Sequence, residues 1–198
     1  DFWAAAWPAL KPSGAVVLMA SSLRFAAEVI ASEPKAYRYD VVWEKGAASG
    51  HLNANRQPMR AHEFVLVFYR TLATYNPQRT AGHEAYGRVT AGPQSVNYGK
   101  QTAATVTEGS SERHPRSVLR TPPIDGPERR HPQQKPIPLL QWIVRTYTNP
   151  GELVAEPCAG SGSMGVAAVG DGRRYVGWDF EPKPPQAFNV GLPFGGGA

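Results

Sequence analysis

The 198-residue chain holds one cysteine, Cys158. A lone thiol excludes an internal disulfide framework and a cysteine-built zinc cluster. No apolar run approaches the ~18–20 residues of a membrane-spanning helix, and no signal peptide is recognisable, so no membrane partner is expected. No internal repeat is present. His62-Glu63 lacks a second histidine at metal spacing, so no metal site is expected.

The composition fits a folded chain. Hydrophobic residues make up 41% and charged residues 19%, enough apolar material for a sizeable core and too much for wholesale disorder. The length suits one domain, or one domain with an insertion. Lys and Arg number 21 against 16 Asp and Glu, and this basic excess is compatible with a polyanion partner without identifying one. Glycine (20) and proline (19) exceed average usage but fall short of collagen-like or low-complexity sequence.

The apolar pattern divides the chain. Residues 1–70 are periodic, 71–130 polar with scattered Gly, Pro, Thr, Ser and Arg, 131–180 periodic again, and 181–198 a Pro- then Gly-rich tail. Phe2–Leu10 reads as a helix end. Ala15–Ala20 is a continuous apolar run, the mark of a strand buried on both faces. Ser21 and Ser22 cap a helix through Ile30, ended near Ser32–Pro34. Tyr37–Trp43 and Phe64–Tyr69 are strands. In the third region Leu139, Leu140, Ile143, Val144 and Tyr147 form a helical stripe over Ile137–Tyr147. Glu152–Glu156 is a strand, Met164–Val169 opens a helix, and Tyr175–Asp179 is a further strand. Helices between buried strands predict an α/β sheet covered on both faces.

Gly160-Ser161-Gly162-Ser163-Met164-Gly165 fits G-x-G-x-x-G, follows a strand and opens a helix, and Asp179 lies nineteen residues beyond Gly160 at the end of the next strand. Glycines admit a ligand close to the backbone, the first N–H groups of a helix are unpaired donors, and a carboxylate accepts ribose hydroxyls. A nucleoside ligand is therefore expected. A dehydrogenase would place a second half-fold downstream, and here only the tail follows. The order favours a methyltransferase that binds S-adenosyl-L-methionine, with its sheet circularly rearranged.

These residues resemble the beta-class amino DNA methyltransferases. Glu156-Pro157-Cys158-Ala159-Gly160-Ser161-Gly162-Ser163 looks like the family's D-P-F-x-G-S-G-T cofactor loop. His131-Pro132-Gln133-Gln134-Lys135-Pro136 looks like its H-P-T-Q-K-P motif, and Tyr175–Asp179 like its second cofactor strand. Trp43-Glu44-Lys45, Arg60-Ala61-His62-Glu63, Phe68-Tyr69-Arg70, Thr74–Gln78 and Pro115–Val118 resemble a phage and bacterial branch described as adenine-specific. The resemblance implies a Rossmann-like methyltransferase with its catalytic half at 1–70, a target-recognition insert at 71–130 and the cofactor half at 131–180. It implies cofactor contacts from His131, Gln134, Lys135, Glu156–Ser163 and Asp179.

The loop departs from the family at Glu156, Cys158 and Ser163, and Cys158 removes an aromatic that would pack near the cofactor. The D/S-P-P-Y/F tetrad, which accepts the hydrogens of the target amine and stacks on the flipped base, is absent. Thr121-Pro122-Pro123-Ile124 is a look-alike in the wrong place. No catalytic residue is assigned, and the tetrad is expected upstream of Asp1. The alternative is a catalytically silent, DNA-binding homologue. Adenine N6 is favoured over cytosine N4 as the target.

Double-stranded DNA is the implied partner, with Trp43, Lys45, His62, Arg79, Arg113, Arg116 and Ser117 facing it. Arg88, Lys100, Arg120, Arg129 and Arg130, with Tyr75, Tyr86 and Tyr98 interleaved, give the insert further phosphate-contacting groups. Restriction-modification, a homodimer and a cytoplasmic, nucleoid-associated location in a bacterial or phage-infected cell are implied by the resemblance alone.

Overall fold

The structure, a computed structural model, describes residues 1–90, 105–121 and 134–179. The chain divides into two compact units, Pro77–Arg116 and the remainder.

The larger unit is built on a four-stranded sheet in the order β1 (Val16–Ala20), β3 (Arg60–Phe68), β2 (Tyr37–Ser49), β6 (Val118–Thr121). β3 runs antiparallel to both neighbours and β2 parallel to β6. β3 is the central strand, and Val65, Leu66, Val67 and Phe68 are each at most 1% exposed. Because strand side chains alternate, its residues divide between two cores. Val65 and Val67 join Val41 and Trp43 against α3 (Ile137–Tyr147). Leu66 and Phe68 join Ala20 and Ala26 against α1 (Phe2–Ala9) and α2 (Leu23–Ser32), where Trp3 stacks on Trp7 and packs on Phe68 with ring centroids 5.4 and 4.9 Å apart.

Local chemistry sets the helix ends. The Asp1 carboxylate accepts from the Trp3 N–H, and the Ser22 hydroxyl accepts from the Phe25 N–H, each satisfying a first-turn donor. Asn76 does the opposite service for α3: its side-chain amide donates to the carbonyls of Arg145 and Thr148 at 3.1 and 3.0 Å. The Ile137–Tyr147 stripe is a helix over the expected span, with all five of its apolar residues buried.

β7 (Leu153–Glu156) and β8 (Arg174–Gly177) form a separate parallel pair joined by α4 (Ser163–Gly170). Helix α3 connects this pair to the main sheet, since Ala167 of α4 belongs to the same buried cluster as Leu139, Leu140 and Ile143.

Two expectations change. The Ala15–Ala20 run is not buried on both faces: β1 is paired on one edge only among the described strands, and its residues except Ala20 are partly exposed. Its free edge borders a cavity, described below. The first unit also holds residues that the resemblance assigned to the insert. The Thr74 N–H donates to Ser13 and the Val42 N–H to Ser117, so backbone bonds draw residues 71–76 and 117–121 into the first unit.

The smaller unit contains the antiparallel strand pair β4 (Tyr86–Thr90) and β5 (Thr105–Ser110) and a bridge between Thr80 and Arg113. The Arg113 guanidinium donates to the carbonyls of Ser110, Glu112 and Glu84 at 2.9, 3.0 and 2.5 Å, and Arg79 pairs with Glu112 at 3.1 Å.

Leu139→Ala should cost about 2–5 kcal/mol, because Leu139 is fully buried where sheet, α3 and α4 meet. Urea unfolding should show a lower midpoint with an unchanged slope.

Candidate cofactor site

Strand β7 ends at Glu156, and the chain then folds back on β8. The Trp178 N–H donates to the Glu156 carbonyl and the Ala159 N–H to the Trp178 carbonyl, at 3.1 and 3.0 Å. These bonds fix Pro157 and Cys158 at the strand end. Gly160 and Gly162 both have left-handed φ (49° and 72°), which side chains rarely tolerate, so the two tight bends of the loop require glycine. Gly162 is the residue before α4, and the Val166 N–H bonds back to its carbonyl.

The acid at the end of β8 meets this loop. Asp179 Oδ2 accepts from the Gly160 N–H at 2.6 Å. The spacing of nineteen residues thus becomes a contact, placing a carboxylate beside the glycine backbone.

Gly165 and Gly177 serve a different purpose. A Cβ at Gly165 would lie 2.8 Å from the Tyr175 ring, and one at Gly177 would lie 2.1 Å from the Tyr175 hydroxyl. The ring therefore occupies space that these glycines leave open, and its hydroxyl donates to Glu156 Oε2 at 2.7 Å. Burial pushes the Glu156 carboxyl above the usual carboxylate range. The Tyr175 hydrogen bond opposes that rise and the nearby Asp179 charge adds to it.

These elements border a cavity of about 960 Å³, at the upper end of the ~300–1,000 Å³ typical of small-molecule sites. Its wall includes Glu156, Pro157, Cys158, Ala159, Gly160, Ser161, Ser163 and Asp179. Val17 and Met19 of β1 also line it, and Leu140, Ile143 and Val144 of α3 give it an apolar floor. Lys135, just before α3, is also in the wall, and its Nζ donates to Glu63 Oε2 at 2.6 Å. The lining is mainly apolar, with the carboxyl groups of Glu152, Glu156 and Asp179 and the cations Lys11, Lys135 and Arg174 set into it. That combination fits an amphiphilic nucleoside with a charged amino-acid end, as S-adenosyl-L-methionine has.

Of the other residues singled out in the sequence, Gln134 is partly buried beside Lys135, whereas His131 lies outside the described residues. Cys158 is exposed in the loop. Trp43, expected to face DNA, is instead core: it is 5% exposed, and its indole N–H donates to the Thr121 hydroxyl at 2.8 Å. Lys45 turns inward toward Glu63, with Nζ 3.7 Å from Oε1. His62 lies edge-on to Phe64, and strand alternation sends it to the opposite face from Glu63, so the two do not form an acid–base pair. Arg116 and Ser117 are exposed, and the Ser117 carbonyl is held by Val42. Arg79 and Arg113 have the partners given above. Lys100, Arg129, Arg130 and Tyr98 lie outside the described residues. Among the described residues no cluster of His, Cys, Asp or Glu could hold a metal, and no helix is long and apolar enough to cross a membrane. Sequence reasoning passed over Tyr175 as a partner of the loop acid and Glu63 as a partner of Lys135. An acid at the inward parity of the Phe64–Tyr69 strand was the available signal for Glu63.

A family profile described as DNA methylase matches residues 1–187. The chain belongs to this family. The type II methyltransferase M.XycI of Xanthomonas campestris pv. cyanopsidis is 28% identical over 148 residues, 74% of this chain and 41% of that protein. The DNA adenine methyltransferase YhdJ of Escherichia coli (strain K12) is 45% identical over 47 residues, 24% of this chain and 16% of that protein. The chain spans less than half the length of these curated relatives. Among solved structures, the M1.HpyAVI–SAM complex matches with a TM-score of 0.59 and 22% identity over 88% of this chain and 72% of that one. The cytosine-N4-specific PvuII DNA methyltransferase matches with a TM-score of 0.58 and 16% identity over 87% and 61%. The fold of this methylase-family chain is thus the Rossmann-like one of S-adenosylmethionine-dependent methyltransferases, as expected.

The environment of Glu156 predicts a titration. Its raised carboxyl holds a proton more firmly in the folded protein than in the unfolded one. The stability this contributes is present at low pH and is lost as pH rises from the ordinary value of about 4.3 through the raised folded value. In Tyr175→Phe, which removes the hydrogen bond that opposes the rise, the Glu156 midpoint followed by carboxyl carbon NMR should move further up.

Proposed function

We propose that this chain supplies the cofactor site and sheet core of a DNA methyltransferase that moves the methyl group of S-adenosyl-L-methionine to the exocyclic amine of a base flipped from double-stranded DNA. The Asp179–Gly160 contact in the wall of a mainly apolar cavity carries the reading. It sets a carboxylate where ribose hydroxyls can donate to it, beside backbone that a ligand can approach closely.

The bound cofactor supplies an already activated methyl group. This chain's residues bind and orient it: the glycine loop and Asp179 take the nucleoside, Lys135 and Gln134 with His131 the amino-acid end, and the α3 floor excludes water. Acceptance of the amine hydrogens is the work of the family's D/S-P-P-Y/F tetrad, and no residue here takes that role. Adenine N6 is the favoured target, supported by the relative named a DNA adenine methyltransferase. Cytosine N4 is the second reading, supported by the cytosine-N4-specific structural neighbour. Arg79 and Arg116, both exposed, are the described cations of the set best placed to meet phosphate. A homodimer and a location at the bacterial nucleoid accompany this reading.

Calorimetric titration should show binding of S-adenosylhomocysteine and none of NAD, and NAD binding alone would overturn the proposal. Asp179→Ala should weaken S-adenosylhomocysteine by about tenfold or more, or roughly 1.4 kcal/mol. Duplex DNA affinity should fall steeply between low and high salt, and a flat response would remove the phosphate-contacting surface from the reading.

A further inference from the structure

We propose that Glu63 is a positioning residue that holds Lys135 as a fixed cation for the carboxylate at the amino-acid end of the cofactor. The proposal rests on the reading of this cavity as an S-adenosyl-L-methionine site.

The arrangement follows from register. Glu63 of β3 lies directly opposite Trp43 of β2, so the two side chains share a face of the sheet. Lys45, two residues beyond Trp43, returns to that same face. This is the face that α3 covers, as Val41, Val65 and Val67 show by packing on it. Lys135 sits just before the first residue of α3 and therefore arrives over the end of this row. Glu63 Oε2 accepts from Lys135 Nζ at 2.6 Å, while Glu63 Oε1 stands 3.7 Å from Lys45 Nζ. The Lys135 ammonium also lies 5.3 Å from the centre of the Trp43 ring.

All three charged side chains are largely sheltered, with 22%, 15% and 11% of Lys135, Lys45 and Glu63 exposed. A buried carboxylate is costly unless paired, and here two ammoniums pair with it. One carboxylate between two lysines leaves a surplus of one positive charge. Of the three residues only Lys135 reaches the cavity wall. The surplus is thus presented to the ligand by a side chain whose position Glu63 and the Trp43 face determine. A lysine ammonium has three donors, so a bond to Glu63 is compatible with further bonds to a ligand carboxylate.

Binding of two ligands separates this role from a structural one. S-adenosylhomocysteine carries the amino-acid carboxylate, and methylthioadenosine has the same nucleoside thioether without it. In Lys135→Met and Glu63→Gln, S-adenosylhomocysteine affinity should fall by about tenfold, while methylthioadenosine affinity stays within about twofold of the unchanged protein. Glu63→Asp, which keeps the charge, should recover part of the loss. Thermal unfolding of each variant establishes that it is folded. Equal loss of both ligands in Glu63→Gln, or no loss of either, would overturn the positioning role. An unchanged S-adenosylhomocysteine affinity in Lys135→Met would overturn the cation's role while leaving the cofactor reading intact. If the unchanged protein bound neither ligand, the cofactor reading itself would fall, and this inference with it.

Discussion

The larger unit depends on the two-sided burial of helix α3. One side of the helix packs against Val41, Trp43, Val65 and Val67 of the four-stranded sheet, and Ala167 of α4 completes the same cluster. The two sheets share no hydrogen-bonded strand among the described residues. Their mutual position is therefore carried by side-chain packing through α3, by the contacts at its ends and by the Lys11–Glu152 ion pair. That explains the care spent on its C-terminus, where Asn76 and Arg173 both bond to the last carbonyls and Arg145 pairs with Asp171. It also explains why Leu139, Leu140, Ile143, Val144 and Tyr147 are all buried: a helix with two partners needs a wider apolar stripe than a helix lying on one surface. The same packing creates the cavity. Residues of β1, α3 and β7 all line it, and so does the glycine loop that follows β7.

Much of this was legible in the sequence because it depends on local pattern. The stripe at Ile137–Tyr147, the serine cap of α2 and the strand–glycine–helix order around Gly160 are each set by residues close in the chain, and the structure reproduces their spans nearly residue for residue. The placement of strands within the sheet was not legible in the same way. Ala15–Ala20 and Phe64–Tyr69 are both apolar runs, yet the second is central and the first lies at an edge beside the cavity. An apolar run reports that a strand meets apolar neighbours and not which strand is beside it. Trp43 failed for a related reason: an indole at a strand end suits a stacking surface or a core equally, and only the cross-strand partner decides between them.

The site was legible as a motif but not as a network. The spacing from Gly160 to Asp179 predicts an acid near the loop, and the structure makes it a hydrogen bond. The partners of the motif residues come from elsewhere in the chain. Lys135 is held by Glu63, seventy-two residues earlier, and Glu156 by Tyr175, nineteen later. Pairings of this kind depend on register and on which face a strand presents.

The loop's departures from its family acquire a physical sense in this light. Glu156 stands where the family has Asp, and its longer side chain reaches the hydroxyl of Tyr175. Tyr175 fits only because residues 165 and 177 have no Cβ, so the third glycine of the motif is tied to the identity of a side chain on the following strand. The glutamate, the tyrosine and these two glycines form one packing unit. Replacing Glu156 by Asp would shorten the reach and leave the Tyr175 hydroxyl, which lies in a half-buried position, without that acceptor. An unpaired buried hydroxyl costs about 1–3 kcal/mol, comparable to a core methylene or two, so the family's more common residue would be the poorer choice in this chain. The loop's sequence is then set by what packs behind it as well as by the ligand in front.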